Sequence, residues 1–435
     1  MRLIALVSTL VAAAILAACA MAPRGAAEAD PFAEIAPAYV KLILKIGEHE
    51  EGYVDAYYGP PECQADAKAN KGTLEELRAE ADRLSAAVAA VPDRGLDALQ
   101  RQRRAFLAAH LRAARFRLDM IGGRRSSFRE EARALFGVEL NLKPLSAYDP
   151  LLAEVEKVVG PGAGSLAERV DAFRSRYVIP KDRLEPVFRA AIAECRRRTA
   201  AHISLPAEES FKLEFVTGKS WSGYNWYQGK AHSLIQVNTD LPIFIDRAVD
   251  LGCHEGYPGH HTHNALLEDR LVRARGFVEF SVYPLYSPLS LIAEGTSNYG
   301  IDLAFPGPEK TRFEAEVLYP LAGLDPKTAA AYEALEEATR GLSGARMTIA
   351  ADYLDGKIDR ETAIALTQKY ELMSRARAEQ RIRFADGYRS YVINYGLGED
   401  MARAYVERAG PSQAARWRRM AEVLSSPTLP GDLLR

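Results

Sequence analysis

Residues 253–263 read Cys-His-Glu-Gly-Tyr-Pro-Gly-His-His-Thr-His, and this stretch holds four of the chain's eight histidines: His254, His260, His261 and His263. A lone histidine is ordinary in a core or on a surface, and His49, His110 and His202 read that way. Clustered imidazoles beside a carboxylate, here Glu255, form a metal-site pattern instead, because neutral imidazole nitrogen suits zinc. The spacing raises a geometric difficulty. On an unbroken helix residues six apart point about 240° apart, so His254 and His260 would not face one ion. Residues seven apart, as His254 and His261 are, share a face but lie about 10.5 Å apart along the axis. Pro258 and Gly259 offer the remedy, since proline removes a backbone donor, glycine relaxes φ, and a helix kinks or bulges at such a pair. His260 is therefore favoured as the partner of His254, with His261 the competitor.

The stretch opens as the zincin motif H-E-x-x-H does, with Pro258 standing at the position of that motif's second histidine. Protein ligands that leave zinc one open position allow it to bind water and lower that water's pKa to about 7. Glu255 neighbours His254 in sequence and points off the ligand direction, which suits a general base.

Working outward, the hydrophobic period changes between Glu209 and Asn238. Phe211, Leu213 and Phe215 alternate, Trp221 to Tyr227 is aromatic with a glycine turn, and the run from His232 to Asn238 is strand-like. A small antiparallel sheet is expected there. From Leu241-Pro242 a helix is expected to run into Cys253-His254-Glu255. Elsewhere the pattern is helical. Thr73 caps a run to about Val91, Ser126-Ser127 opens another, and further runs cover 96–120, 166–177, 181–200, 289–303, 313–321, 326–355, 360–384 and 398–424. The arginine-rich faces read as solvated surfaces. The fold class expected is mostly α, with the small sheet beside the site and no linker that would separate domains after Asp30.

The chain is 48% hydrophobic and 26% charged with a formal net charge of -2, ordinary for a globular protein of 435 residues. No basic stripe interleaved with aromatics is present, so no nucleic-acid partner is expected. The N-terminus reads as an address. Met1-Arg2 precedes an apolar run from Leu3 to Ile15, and Leu16-Ala17-Ala18-Cys19 looks like a bacterial lipobox. Residues 1–18 are then a signal peptide, a lipidated Cys19 is the membrane anchor, and 19–30 form a tether. Ala20 is not the aspartate that resembles an inner-membrane retention signal, which favours the outer membrane and a periplasmic body. Three cysteines remain, Cys63, Cys195 and Cys253, so at most one intramolecular bridge forms.

The His-Glu-x-x-Pro-Gly-His-His run resembles the signature of the bacterial domain-of-unknown-function 885 family, whose site is similar to that of gluzincin metallopeptidases. Tyr53 to Pro60, Gly218 to Asn225 and Tyr391 to Tyr395 are also similar to stretches of its lipoprotein branch. The resemblance implies a zincin-like multi-helix body over 31–435 as one gluzincin-like domain. It also implies a third metal ligand from a later Glu-Gly motif, matched by Glu294-Gly295, with Asn298 one helical turn on as its support. Tyr391 and Tyr395, spaced i, i+4, read either as donors to a developing oxyanion or as a packing stripe. Arg389 is a candidate grip for a substrate carboxylate. The strand His232 to Asn238 is a candidate edge for aligning an extended substrate.

The function expected is a zinc-dependent hydrolase acting on a peptide or small amide. Two alternatives stay open: a non-catalytic lipid-anchored module that keeps the fold, and a zinc amide or ester hydrolase with a non-peptide substrate.

Overall fold

The structure is a computed structural model and describes residues 30–435. The expected signal peptide, Cys19 and all of the expected tether but Asp30 lie outside the described residues. The protein is 66% helix and 7% strand.

Local chemistry explains where the helices start. Thr73 accepts from the Glu76 amide at 3.2 Å and the Glu76 carboxylate accepts from the Thr73 amide at 2.7 Å, opening the helix Leu74–Ala90. Ser127 and Glu130 repeat the device before Phe128–Phe136, a helix that ends on the left-handed Gly137. The expected helices 326–355 and 360–384 are each broken in two. Ala329–Arg340 and Ala345–Leu354 are separated by the turn at residues 341–344. Arg360–Glu371 and Arg375–Tyr388 are separated at Leu372, whose φ is 50°. Apolar periodicity carries across such breaks, so sequence alone does not reveal them.

Two arginines of the helix Ala98–Ile121, expected on a solvated face, are buried. Arg103, 1% exposed, pairs with the fully buried Glu279 and with Asp30 at 2.7 Å. Arg117 pairs with Glu50 and lies over the Tyr286 ring. Paired in this way, the guanidinium charges are tolerable inside.

The sheet expected within 209–238 comprises β2 (Ser210–Val216), β3 (Gly223–Tyr227) and β4 (His232–Asn238), following β1 (Val54–Tyr57) in the chain. Its order is β2-β4-β3; β3 pairs antiparallel with β4, as expected, whereas β2 runs parallel to β4. β4 is therefore central and has no free edge, which corrects the expectation that it aligns substrate. A second, antiparallel pair joins β1 to β5 (Val282–Pro284).

Two large apolar cores meet at the helix Pro288–Ala304. The N-terminal helices bury Tyr39, Leu42, Leu107 and Phe136 against its Leu291 and Ile292. The second core packs Ile192, Ile235, Val249 and Cys253 with its Tyr299 and Leu303. Gly295 on this helix and Gly398 on Ile393–Glu407 touch backbone to backbone; a Cβ at Gly295 would lie 2.3 Å from Gly398. That close approach brings Glu294 against Tyr391 and Tyr395. Cys195 and Cys253 form a disulfide that ties the helix Leu184–Ala200 to the His254 turn, and Cys63 is free.

Candidate metal centre

The helix leading into the histidine stretch begins at Asp246 and runs to Leu251, where it widens into a π turn over Gly252–Gly256. It stops at Tyr257, the Tyr257–Pro258 peptide is cis, and a new helix starts at His260 and continues to Leu267. The break makes Gly259 indispensable. Its amide donates to the Cys253 carbonyl at 3.0 Å, and a Cβ there would stand 1.8 Å from the His254 carbonyl oxygen.

Across the break the Nε2 atoms of His254 and His260 face each other at 3.2 Å. Glu294 completes a triangle, 3.1 Å from His254 Nε2 through Oε2 and 3.5 Å from His260 Nε2 through Oε1. Ligand atoms about 2.0–2.1 Å from one tetrahedrally coordinated ion lie roughly 3.3–3.4 Å apart, close to these separations, with one Glu294 oxygen facing each imidazole. Two further details fit it. Asn298 Nδ2 donates to the Tyr395 carbonyl at 2.8 Å, which leaves Asn298 Oδ1 to accept from His254 Nδ1 at 2.8 Å. The Nε2 lone pair of His254 therefore faces inward. Glu294 Oε2 is buried without a hydrogen-bond partner. His254, Glu255 and His260 also offer ligand atoms within 4.8 Å of one another, so this group could hold a metal ion.

Glu255 is buried beside this triangle. Burial pushes its carboxyl up, opposed by the His254 and His260 imidazoles and reinforced by Glu294. Its backbone carbonyl accepts from Asn225 Nδ2 at 2.5 Å.

His261, the competitor, points away from the triangle. Its Nδ1 meets Ser233 Oγ at 2.8 Å and its Nε2 meets Glu209 Oε2 at 3.2 Å. The new helix begins at His260, so the following side chain is turned about 100° round the axis, toward the sheet. Ser233 also donates to Asn225 Oδ1 at 3.1 Å, so His261 belongs to a chain of hydrogen bonds that ends on the Glu255 carbonyl. Burial raises the Glu209 carboxyl, but bonds from His261, Tyr257 and Arg196 outweigh it and bring it down to about 2.

The two tyrosines differ. Tyr391 donates to Glu294 Oε1 at 2.5 Å, so its hydroxyl is committed to orienting that carboxylate. The Tyr395 ring lies nearly parallel to His254, centroids 6.2 Å apart at 19°, and its hydroxyl has no hydrogen-bond partner among the described residues. Arg389 is not at the site. Its guanidinium is paired at 2.6 Å with Glu131, which is fully buried, and that removes it as a grip for substrate.

Asp55 on β1 went unrecognised in the sequence beyond the Tyr53–Pro60 resemblance. Burial pushes its carboxyl up to about 7, opposed by His260 and by the Tyr224 hydroxyl and reinforced by Glu294 and Glu255, so it shares their electrostatic field. No local pattern announces it, because β1 reaches the centre only by pairing with β5, more than 220 residues on. His232 and His263 stand apart: His232 meets Ser210 Oγ at 3.0 Å, and His263 is buried.

No family model matches the chain, and no curated protein matches it. A candidate lipoprotein from Colwellia psychrerythraea superposes with a TM-score of 0.50 at 15% identity over 84% of this chain. The two share a fold. The chain spans 66% of the Colwellia protein's length. A candidate lipoprotein of unknown function from Shewanella oneidensis gives 0.41 at 15% identity, over 90% of this chain and 82% of that one. An M32 carboxypeptidase from Deinococcus radiodurans R1 gives 0.34 at 14% identity, over 90% and 88%. At such scores the last two carry no argument about chemistry. Among the described residues no helix is long and apolar enough to cross a membrane.

Proposed function

We propose that the chain is a zinc-dependent metallopeptidase of the bacterial cell envelope, of the family that its histidine stretch resembles. The observation that carries this reading is the His254–His260–Glu294 triangle, with edges of 3.1, 3.2 and 3.5 Å, beside the buried Glu255. Two imidazoles and a carboxylate are a donor set suited to catalytic zinc. Zinc held there supplies a water of pKa about 7 and polarises the scissile carbonyl.

The chain's own residues do the rest. Glu255 accepts the proton of the attacking water and passes it to the leaving amine. Tyr395 donates its free hydroxyl to the oxyanion as it develops. Tyr391 and Asn298 hold Glu294 and His254 in orientation. β3 borders the sheet and supports an extended substrate paired along its outer edge.

The lipobox at Cys19 argues for a lipid-anchored periplasmic enzyme over residues 31–435, with the outer membrane favoured. The Cys195–Cys253 disulfide agrees with an oxidising compartment.

Metal analysis and peptide-library cleavage on wild type and Glu255→Gln test the reading together. Expected are one zinc per chain in both proteins, turnover in wild type, and a loss of roughly 10²–10⁴-fold in the variant. A chain without metal, or a variant as active as wild type, overturns it. Turnover confined to esters or non-peptide amides would move the assignment to that substrate class.

A further inference from the structure

We propose that Arg346 is the anchor for a substrate carboxylate beside the metal centre; this rests on the peptidase reading above and names the end of the peptide that the site selects. Arg346 lies in the first turn of the helix Ala345–Leu354. Its guanidinium carbon stands 5.0 Å from the centre of the Tyr395 ring and 5.7 Å from that of Phe384. The Tyr395 ring stacks on His254 at 6.2 Å, so one aromatic ring separates the guanidinium from a ligand of the metal triangle.

Arg346 differs from the other arginines in its pairing. Arg103, Arg117, Arg174, Arg198 and Arg389 all pair with carboxylates. Arg346 makes no hydrogen bond and no ion pair among the described residues, and its Nε is buried without a partner. Of the neighbouring carboxylates, Glu371 pairs through Oε2 with Arg381 at 3.1 Å while its buried Oε1 has no partner among the described residues, and Glu294 accepts from Tyr391. Burial, reinforced by Arg381 and opposed by Glu371, Tyr395 and Glu294, lowers the Arg346 guanidinium to about 10.

Arg346 is partly exposed with its Nε buried, so its guanidinium can be reached by an arriving anion and has no salt bridge of its own to give up. A carboxylate is the matching shape, because it accepts two parallel hydrogen bonds from the guanidinium fork. Arg346 thus takes the role that Arg389 is unable to fill.

The carboxylate comes either from the peptide's C-terminus or from an acidic side chain at the same position, and three probes distinguish the two. Binding is measured by calorimetry on zinc-loaded Glu255→Gln full chain, which does not consume the probes. The probes are acetyl-tetra-alanine with a free carboxylate, the same peptide amidated, and an amidated peptide ending in glutamate. Expected is at least tenfold tighter binding of the free acid than of the amide, and loss of that preference when Arg346→Gln is added. Arg346→Lys, which keeps the charge but not the fork, should retain part of it and serves if the glutamine variant does not fold. A glutamate amide that binds as tightly as the free acid assigns the anchor to acidic side chains. Equal affinities for acid and amide, a preference that survives both substitutions, or no binding of any probe overturns the proposal. Failure of the peptidase reading shows separately, as unchanged turnover in Glu255→Gln, and leaves the binding comparison intact.

Discussion

His254 and His260 belong to different helices, yet their Nε2 atoms stand 3.2 Å apart across Tyr257-Pro258-Gly259. Replacing either by alanine should abolish stoichiometric metal binding. His261→Ala should keep the metal, because both of its ring nitrogens are engaged with Ser233 and Glu209. It should instead lower stability by about 1–3 kcal/mol, the cost of leaving buried polar partners unpaired. Metal content and urea titration of the three variants check this. Loss of metal in His261→Ala with retention in His260→Ala would reverse the ligand assignment.

Asn298 fixes which nitrogen of His254 carries the proton. Asn298→Ala should weaken metal affinity by about 10–100-fold while leaving the fold intact. Competition against a chelator of known affinity measures it. An unchanged affinity would mean that the His254 tautomer is set elsewhere.

Gly259→Ala should fail for a reason of space. The added methyl would sit 1.8 Å from the His254 carbonyl oxygen, so the backbone that carries a ligand has to move. A loss of about 3 kcal/mol or more, together with loss of metal, is expected. A folded, metal-bound variant would show that the break between the helices is adaptable.

Stability should also fall with rising pH through a group far from the metal. Burial pushes the Glu314 carboxyl up to about 8; Lys310 opposes this, while Asp246 and Asp250 add to it. A carboxyl raised above its unfolded value of about 4.5 holds its proton longer when folded. Its contribution is therefore fully present below pH 4.5 and is lost as pH rises toward 8. Glu314→Gln should flatten the stability profile across that window and be the more stable protein at pH 8. Urea midpoints at pH 5 and pH 8 decide it, and parallel profiles for variant and wild type would refute it.

The parts of this protein that could be read in advance are those made by neighbours in the chain. The helices at Thr73 and Ser127 start there because each hydroxyl and the glutamate three residues on satisfy one another's amides. Pro258 and Gly259 signalled a break between the histidines for the same local reason. Apolar periodicity does not register a single left-handed residue, so the interruption at Leu372 passed unseen. Arg103 and Arg117 looked solvated because their partners, Glu279 and Glu50, lie far away in the chain.

The amino-acid sequence by itself determined the mostly helical class, the histidine–glutamate cluster and the need for a bend within it. Those follow from hydrogen bonding, backbone freedom and donor chemistry among residues a few positions apart. The tertiary structure decided which histidine faces His254 and that Tyr391 orients Glu294 while Tyr395 stays free. It also decided that Arg389 is spent on Glu131 while Arg346 stands unpaired beside the centre. An orientation or a charge balance depends on what packs against the side chain, and here those partners come from β1, β4 and helices up to a few hundred residues distant.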